Sequence, residues 1–290
     1  MTTNPFDLHD EKTYQIWREK KLANYPQKTE DLIVEICDPR HLTTNEYQAI
    51  LTCCQKTNMA IYVSKKTEED KTIPRLLGEQ FGLRNLDNNP HADDDAISAI
   101  QVTENQNKRA YIPYTNRPIH WHTDGYYNER EKQIRGMVLH CVRPAFQGGE
   151  NALLDHEIAY ILLRDSNPDF IRVLMQPDAM TIPPNDDANT QIRHARSGAV
   201  FSIDENEHLH LRYTKRKRSI IWKENTQEAV KYLESILEDL QSSYIFRATL
   251  QAGWGLICNN VLHDRGGFED HHEKPRLLYR ARYYQRISGT

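Results

Sequence analysis

The stretch Ile119-His120-Trp121-His122-Thr123-Asp124-Gly125 sets an imidazole and a carboxylate two residues apart. In an extended strand, side chains at i and i+2 leave the same face, so His122 and Asp124 project together. Gly125 then frees the chain to turn. One imidazole and one carboxylate make part of a facial metal site, and the missing donor must be a histidine supplied by the fold. Two neutral nitrogens and one anionic oxygen cover one face of an octahedral iron(II) and leave three positions open. A bidentate 2-oxo acid fits two of them and dioxygen the third. Zinc takes the same donors, although a closed structural zinc site prefers thiolates. Alone the triplet says little, because 13 histidines make chance matches common.

A second group of residues comes near the C-terminal end. Trp254 to Cys258 (WGLIC) is strand-like, and Asn259, Asn260, Val261, Leu262 and His263 follow it, with Gly266 and Gly267 marking a turn. A histidine at a strand end beside a glycine-rich loop is well placed to close a metal site. Without further support it would be a loop histidine with no partner. Residues 276–284, RLLYRARYY, supply that support. As a strand they put Arg276, Leu278, Arg280, Arg282 and Tyr284 on one face and Leu277, Tyr279, Ala281 and Tyr283 on the other. An unpaired buried arginine is costly, so the first face is either solvated or turned toward an anion. Arginine grips a carboxylate through two parallel hydrogen bonds, and Arg276 and Arg280 could each hold one.

These residues need a scaffold. Leu32 to Ile36 (LIVEI) reads as a buried strand, and Met59 to Val63 as another. Thr43 and Glu46 stand in capping-box spacing ahead of a helix, and Pro74 to Phe81 suggests a helix stopped by Gly82. From about residue 97 strands dominate, at 97–102, 119–124, 135–142, 199–203, 208–213, 244–250, 254–259 and 276–285. Helical patches are predicted at 155–175 and 226–241. In the second, Ala229, Val230, Leu233, Ile236, Leu237 and Leu240 form the apolar face, and Asn225 with Glu228 marks the start. Many short strands with a few peripheral helices predict a β-barrel or jelly roll, with ligands in its mouth.

The 290 residues carry no repeat or Gly/Ser linker, so one domain over 1–290 is expected. A hydrophobic fraction of 38% and a net charge of -4 describe an ordinary soluble chain with no broad attraction to nucleic acid. The run Arg212, Lys215, Arg216, Lys217, Arg218 reads as a solvated loop, with nucleic-acid contact second. No window is apolar enough for a membrane helix, and the first residues have no secretion-signal core. Five scattered cysteines form no disulfide framework, which predicts a reducing, cytoplasmic setting.

Taken together, the motifs WHTDG (121–125), LHCVRPAFQGGENALLD (139–155), WGLICNNVLHDRGG (254–267) and PRLLYRARY (275–283) resemble the taurine dioxygenase (TauD/TfdA-like) family of iron(II)- and 2-oxoglutarate-dependent oxygenases. The likeness extends from about residue 30 to 285. It implies a mainly β fold with α insertions: a double-stranded β-helix (jelly-roll, cupin-like) core with peripheral helices. His122, Asp124 and His263 fall on the metal-ligand positions. Arg276 falls on the arginine that pairs with the distal carboxylate of 2-oxoglutarate. Asn151 stands where many members place a threonine that also touches 2-oxoglutarate. Arg280 matches a position that holds the anionic end of substrate or co-substrate.

LHCVRPAFQGG is similar to the γ-butyrobetaine hydroxylase branch, and HTDG with ICNN to glutarate hydroxylases. A small substrate derived from a carboxylate or an amino acid is therefore expected, oxidised with release of succinate and carbon dioxide. Tyr126 and Tyr127 would line the cavity, where an aromatic pair either flanks a quaternary ammonium or packs the barrel mouth. His120 is expected to be structural, and His271 and His272 to lie on the surface. Loops within 64–96 and 184–220 are expected to set specificity. Three rivals stand beside this reading: a non-catalytic jelly roll binding a small anion, a metal-dependent hydrolase or isomerase on the same fold, and nucleic-acid demethylation through the basic run. A small-molecule substrate is the expected partner, with no membrane and no nucleic acid; a homo-oligomer is left open.

Overall fold

Met59–Val63 has almost no polar side chain because both of its faces are covered. It pairs in parallel with Ile33–Glu35 and antiparallel with Trp254–Cys258. The sheet continues through Gly136–Arg143 and Leu277–Tyr283 to Ser98–Ile100, six strands in all. Inward residues of this sheet, among them Met59, Ile61, Met137, Cys141, Leu256 and Leu278, belong to the main core. Their neighbours Ala60, Tyr62, Val138, Ile257, Tyr279 and Ala281 form a second core on the outer face. There Ile50 and Cys54 of the helix Thr44–Thr57, with Leu77 and Phe81 in or next to Ile73–Gln80, cover them. Each such fully buried aliphatic side chain stabilises the fold by roughly 1.5–3 kcal/mol. The computed structural model describes residues 4–88, 95–103, 111–184, 194–216, 220–271 and 273–290.

A four-stranded sheet contributes the other side of the main core through Trp121, Ala152, Leu153, Leu154 and Leu262. Its order is Phe246–Ala248, Asn151–Leu154, Leu262–Arg265, Ile119–His122. The fold is thus the expected mainly β jelly roll with helices, although its sheets remain open at their edges.

Several elements match expectation closely. Thr43 Oγ1 accepts from Glu46 N–H at 3.3 Å while Glu46 accepts from Thr43 N–H at 2.7 Å, the reciprocal cap that spacing predicted. Others differ. The patch 155–175 is two helices, His156–Ser166 and Pro168–Leu174. Pro168 bars helical geometry from Asn167, which becomes extended at ψ 114 and caps the second helix. The last long helix is Gln227–Glu238, begun at Thr226 with no side-chain cap. Asn225 bonds Gln176 instead, and Leu240 lies beyond the helix and is exposed. Asn151–Leu154 and Leu262–Arg265 are strands that periodicity did not reveal.

Candidate metal centre and cleft

The register of the four-stranded sheet does what sequence separation hides. His263 pairs directly with His122 across two antiparallel strands, and their ring centroids are 4.2 Å apart. The strand carrying His122 ends at that residue, so Asp124 sits in the turn after it. Thr123 keeps the segment extended by exchanging bonds with Tyr213 at 3.0 and 3.1 Å, and the i, i+2 relation survives. Gly125 then turns at φ +67, where a Cβ would come within 2.4 Å of Ile134 Cγ1. One donor atom from each of His122, Asp124 and His263 lies within 4.8 Å of the others.

Backbone carbonyls orient both imidazoles. His122 Nδ1 lies 2.9 Å from the His120 carbonyl, and His263 Nδ1 lies 2.9 Å from the Val261 carbonyl. A carbonyl can only accept, so each Nδ1 carries a proton and Nε2 is the ring atom turned to the metal position. Burial, reinforced by the neighbouring His263, pushes His122 down to about 3 and keeps it neutral. Burial alone would raise Asp124, but the Arg280 and Arg282 guanidiniums outweigh it and hold the carboxyl well below the usual range. Two imidazole nitrogens and one ionised carboxylate fit a divalent metal.

Asn260, which the sequence reading passed over, fixes the turn. At φ 49 its side-chain oxygen accepts from Asp124 N–H at 2.8 Å. Its amide donates to the carbonyls of Asp124 at 3.0 Å and Ile134 at 2.6 Å. The available signal was an Asn pair directly after an apolar strand, since asparagine tolerates left-handed backbone.

The three arginines of Leu277–Tyr283 and its approach have different partners. Arg276 is buried at 6% exposure over the Phe268 ring, with no side-chain hydrogen bond or ion pair among the described residues. Burial drives its pKa below the usual guanidinium value. Gly149 turns nearby at φ +74, where a Cβ would stand in ordinary van der Waals contact, 3.9 Å from the Arg276 Nε. A buried guanidinium with no side-chain hydrogen bond among the described residues fits an anion such as the far carboxylate of 2-oxoglutarate. Asn151 directs its amide to the carbonyls of Gly149 and Ala248 at 3.4 and 3.3 Å. Arg280 Nη1 reaches both Asp124 oxygens, at 3.1 and 3.2 Å. Arg282 pairs with Asp87 and donates to the Tyr127 hydroxyl at 3.1 Å.

A cleft of about 750 Å³, open mouth included, lies against His122 and Asp124 of the triad. Tyr111, Tyr114, Tyr126 and Tyr127 line it, as do Arg216, Arg280 and Arg282. Tyr126 and Tyr127 meet edge to face at 5.2 Å. His120 departs from expectation: it is exposed and lines this cleft, because two residues before His122 it leaves the strand on the same face. His271 pairs in a bridge with Lys274 and is exposed, as expected, while His272 lies outside the described residues. The basic run is no continuous solvated loop. Arg212 is buried and donates to the carbonyls of Tyr126, Met180, Gly198 and Arg196. Lys215 pairs with Glu238, and Arg216 stands 5.9 Å over the Tyr126 ring. Lys217 and Arg218 lie outside the described residues, as do 89–94 and 185–193 of the two expected specificity loops. Among the described residues no helix is long and apolar enough to cross a membrane, and all five cysteines are free.

A jelly roll with two histidines and one carboxylate converging at a cleft defines a class of metal-dependent barrel proteins. The particular family is shown by sequence: the chain belongs to the taurine catabolism dioxygenase TauD, TfdA family, whose pattern matches residues 66–282. Within that family neither a non-catalytic barrel nor a hydrolase is favoured. Among curated proteins, a uridine-5'-phosphate dioxygenase from Amycolatopsis sp is 29% identical over 174 residues, 56% of this chain and 60% of that protein. A uridine-5'-phosphate dioxygenase from Streptomyces sp is 28% identical over 203 residues, 66% of this chain and 70% of that protein. The matched region thus spans less than two thirds of the Amycolatopsis relative.

Two solved structures share the fold. Asparagine oxygenase, in complex with Fe(II), hydroxyasparagine and succinate, has a TM-score of 0.58 at 10% identity and covers 98% of this chain and 92% of that one. AAD-2, in complex with Mn(II) and N-oxalylglycine, has a TM-score of 0.61 at 12% identity and covers 89% and 97%.

Proposed function

We propose that the chain is an iron(II)- and 2-oxoglutarate-dependent dioxygenase that hydroxylates a phosphate ester of the nucleoside 5'-monophosphate class. One observation carries the substrate class: the cleft lining sets three guanidiniums, of Arg216, Arg280 and Arg282, against the single carboxylate of Asp124, among four tyrosine rings. Cationic heads suit a phosphate dianion, and aromatic faces suit a base. The curated relatives, uridine-5'-phosphate dioxygenases by name, support the same class.

In this reading Nε2 of His122 and of His263, with the Asp124 carboxylate, would hold iron(II), and Arg276 would hold the far carboxylate of 2-oxoglutarate. Bound there, iron and 2-oxoglutarate supply oxygen activation, with succinate and carbon dioxide as by-products. The protein orients and encloses. Arg280 stands at 3.1 Å from Asp124, so an anion it holds rests close to the metal and presents the carbon bearing the ester oxygen. Replacing a C–H there by C–OH gives a hydroxyl beside the ester oxygen. Loss of the hydroxyl proton then forms C=O as the C–O bond to phosphate breaks, releasing an aldehyde and inorganic phosphate.

The test supplies iron(II), ascorbate, 2-oxoglutarate and uridine 5'-phosphate and measures succinate and inorganic phosphate. Both should rise together in the wild type, and Asp124→Ala should retain no iron and form neither. Succinate stimulated by amino acids or simple carboxylates, but not by the nucleotide, would return the substrate to the class that the motifs suggested. Equal behaviour of wild type and Asp124→Ala would remove the oxygenase reading itself.

A further inference from the structure

The corner of the cleft around Arg282 is rich in donors and poor in acceptors. Arg282 is 4% exposed. One of its nitrogens pairs with Asp87, whose other oxygen accepts from the Tyr284 hydroxyl at 2.8 Å. Asp87 N–H in turn donates to the Arg282 carbonyl at 2.8 Å. Side chain and backbone together fix the guanidinium, and its Nη1 donates to the Tyr127 hydroxyl at 3.1 Å.

A guanidinium has five donors and no acceptor, so the Tyr127 oxygen must accept this bond. The phenolic proton is left to point elsewhere, and no described residue accepts it. A phenolic proton left without an acceptor is costly once water is displaced, and an acceptor-rich ligand would satisfy it.

Building on the phosphate-ester reading above, the geometry points to Tyr127 as a specificity-determining hydrogen-bond donor to the phosphate head of the substrate, with Arg282 and Asp87 as its positioning residues. A carboxylate has two oxygens, and one forked guanidinium meets both. A phosphate monoester has three terminal oxygens, and Arg280 already spends Nη1 on Asp124. Tyr127 supplies the extra donor that separates the two anions. Asp87 takes up the charge of Arg282, so this second contact comes from a neutral hydroxyl.

The experiment compares uridine 5'-phosphate with uridine, binding each to the Mn(II)- and 2-oxoglutarate-loaded protein without oxygen and measuring by calorimetry. Wild type should prefer the nucleotide. Tyr127→Phe should weaken the nucleotide roughly 10- to 100-fold, the worth of one hydrogen bond to a charged group, and leave uridine unchanged. Asp87→Asn should lose nucleotide affinity in the same direction while uridine again stays constant, a split that a merely structural role would not give. Tyr127→Phe binding the nucleotide like wild type, or losing both ligands alike, overturns the assignment. A wild type that does not distinguish the two ligands overturns the phosphate reading together with this one, and that failure is visible before any variant is made.

Discussion

Arg276 is the residue whose state the fold alone does not explain. A buried guanidinium without a paired carboxylate costs several kcal/mol, and cation–π contact with Phe268 and the charge of nearby Asp270 offset it only in part. Arg276→Leu should therefore leave the ligand-free protein as stable as wild type or about 1–3 kcal/mol more stable. The same change should abolish the rise in melting temperature that 2-oxoglutarate gives the Mn(II)-loaded protein. Thermal melts with and without 2-oxoglutarate check both halves, and a variant still stabilised like wild type would hand the role to another residue. The chemistry of these side chains was legible, because residue type and spacing carry it. Their partners were not. Asp87 and Arg282 stand 195 positions apart, and nothing local in either marks the other.

At the level of elements, the metal centre depends on a pairing register and on one turn. Asn260 makes three buried hydrogen bonds around Asp124 and Ile134. Asn260→Ala should cost about 2–4 kcal/mol in unfolding free energy and loosen the Asp124 turn. Mn(II) should then bind roughly 10- to 100-fold more weakly, as measured by titration, although no ligand has been altered. Unchanged metal affinity in a folded variant would mean that the turn holds itself. Met59–Val63 and the Thr43 cap were readable because long apolar runs and capping spacing are local signals. Asn151–Leu154 and Leu262–Arg265 were not, since four residues with mixed faces carry no period, yet they seat His263 opposite His122. Pro168 was visible in the sequence and should have divided the 155–175 patch.

The whole molecule responds to acid through buried neutral histidines away from the cleft. Burial pushes His140 down to about 4 and His156 to about 3, against an ordinary value of 6.5. Below pH 6.5 the unfolded chain takes up protons that the folded chain refuses, so stability is full above that pH and falls as pH drops toward the folded values. Each group contributes a slope of up to about 1.4 kcal/mol per pH unit. Denaturant unfolding at pH 7.5, 6.5 and 5.5 should show the decline, and His156→Phe should make it shallower; an identical slope would place the protons elsewhere. Arg212 joins the molecule in a different manner. One guanidinium reads backbone oxygens from the Tyr126 wall and from the paired strands Met180–Ile182 and Arg196–Gly198. The shape offered to a ligand is thus indexed to a sheet the ligand never meets, and drift in those outer strands can retune selectivity from behind while every lining side chain stays the same.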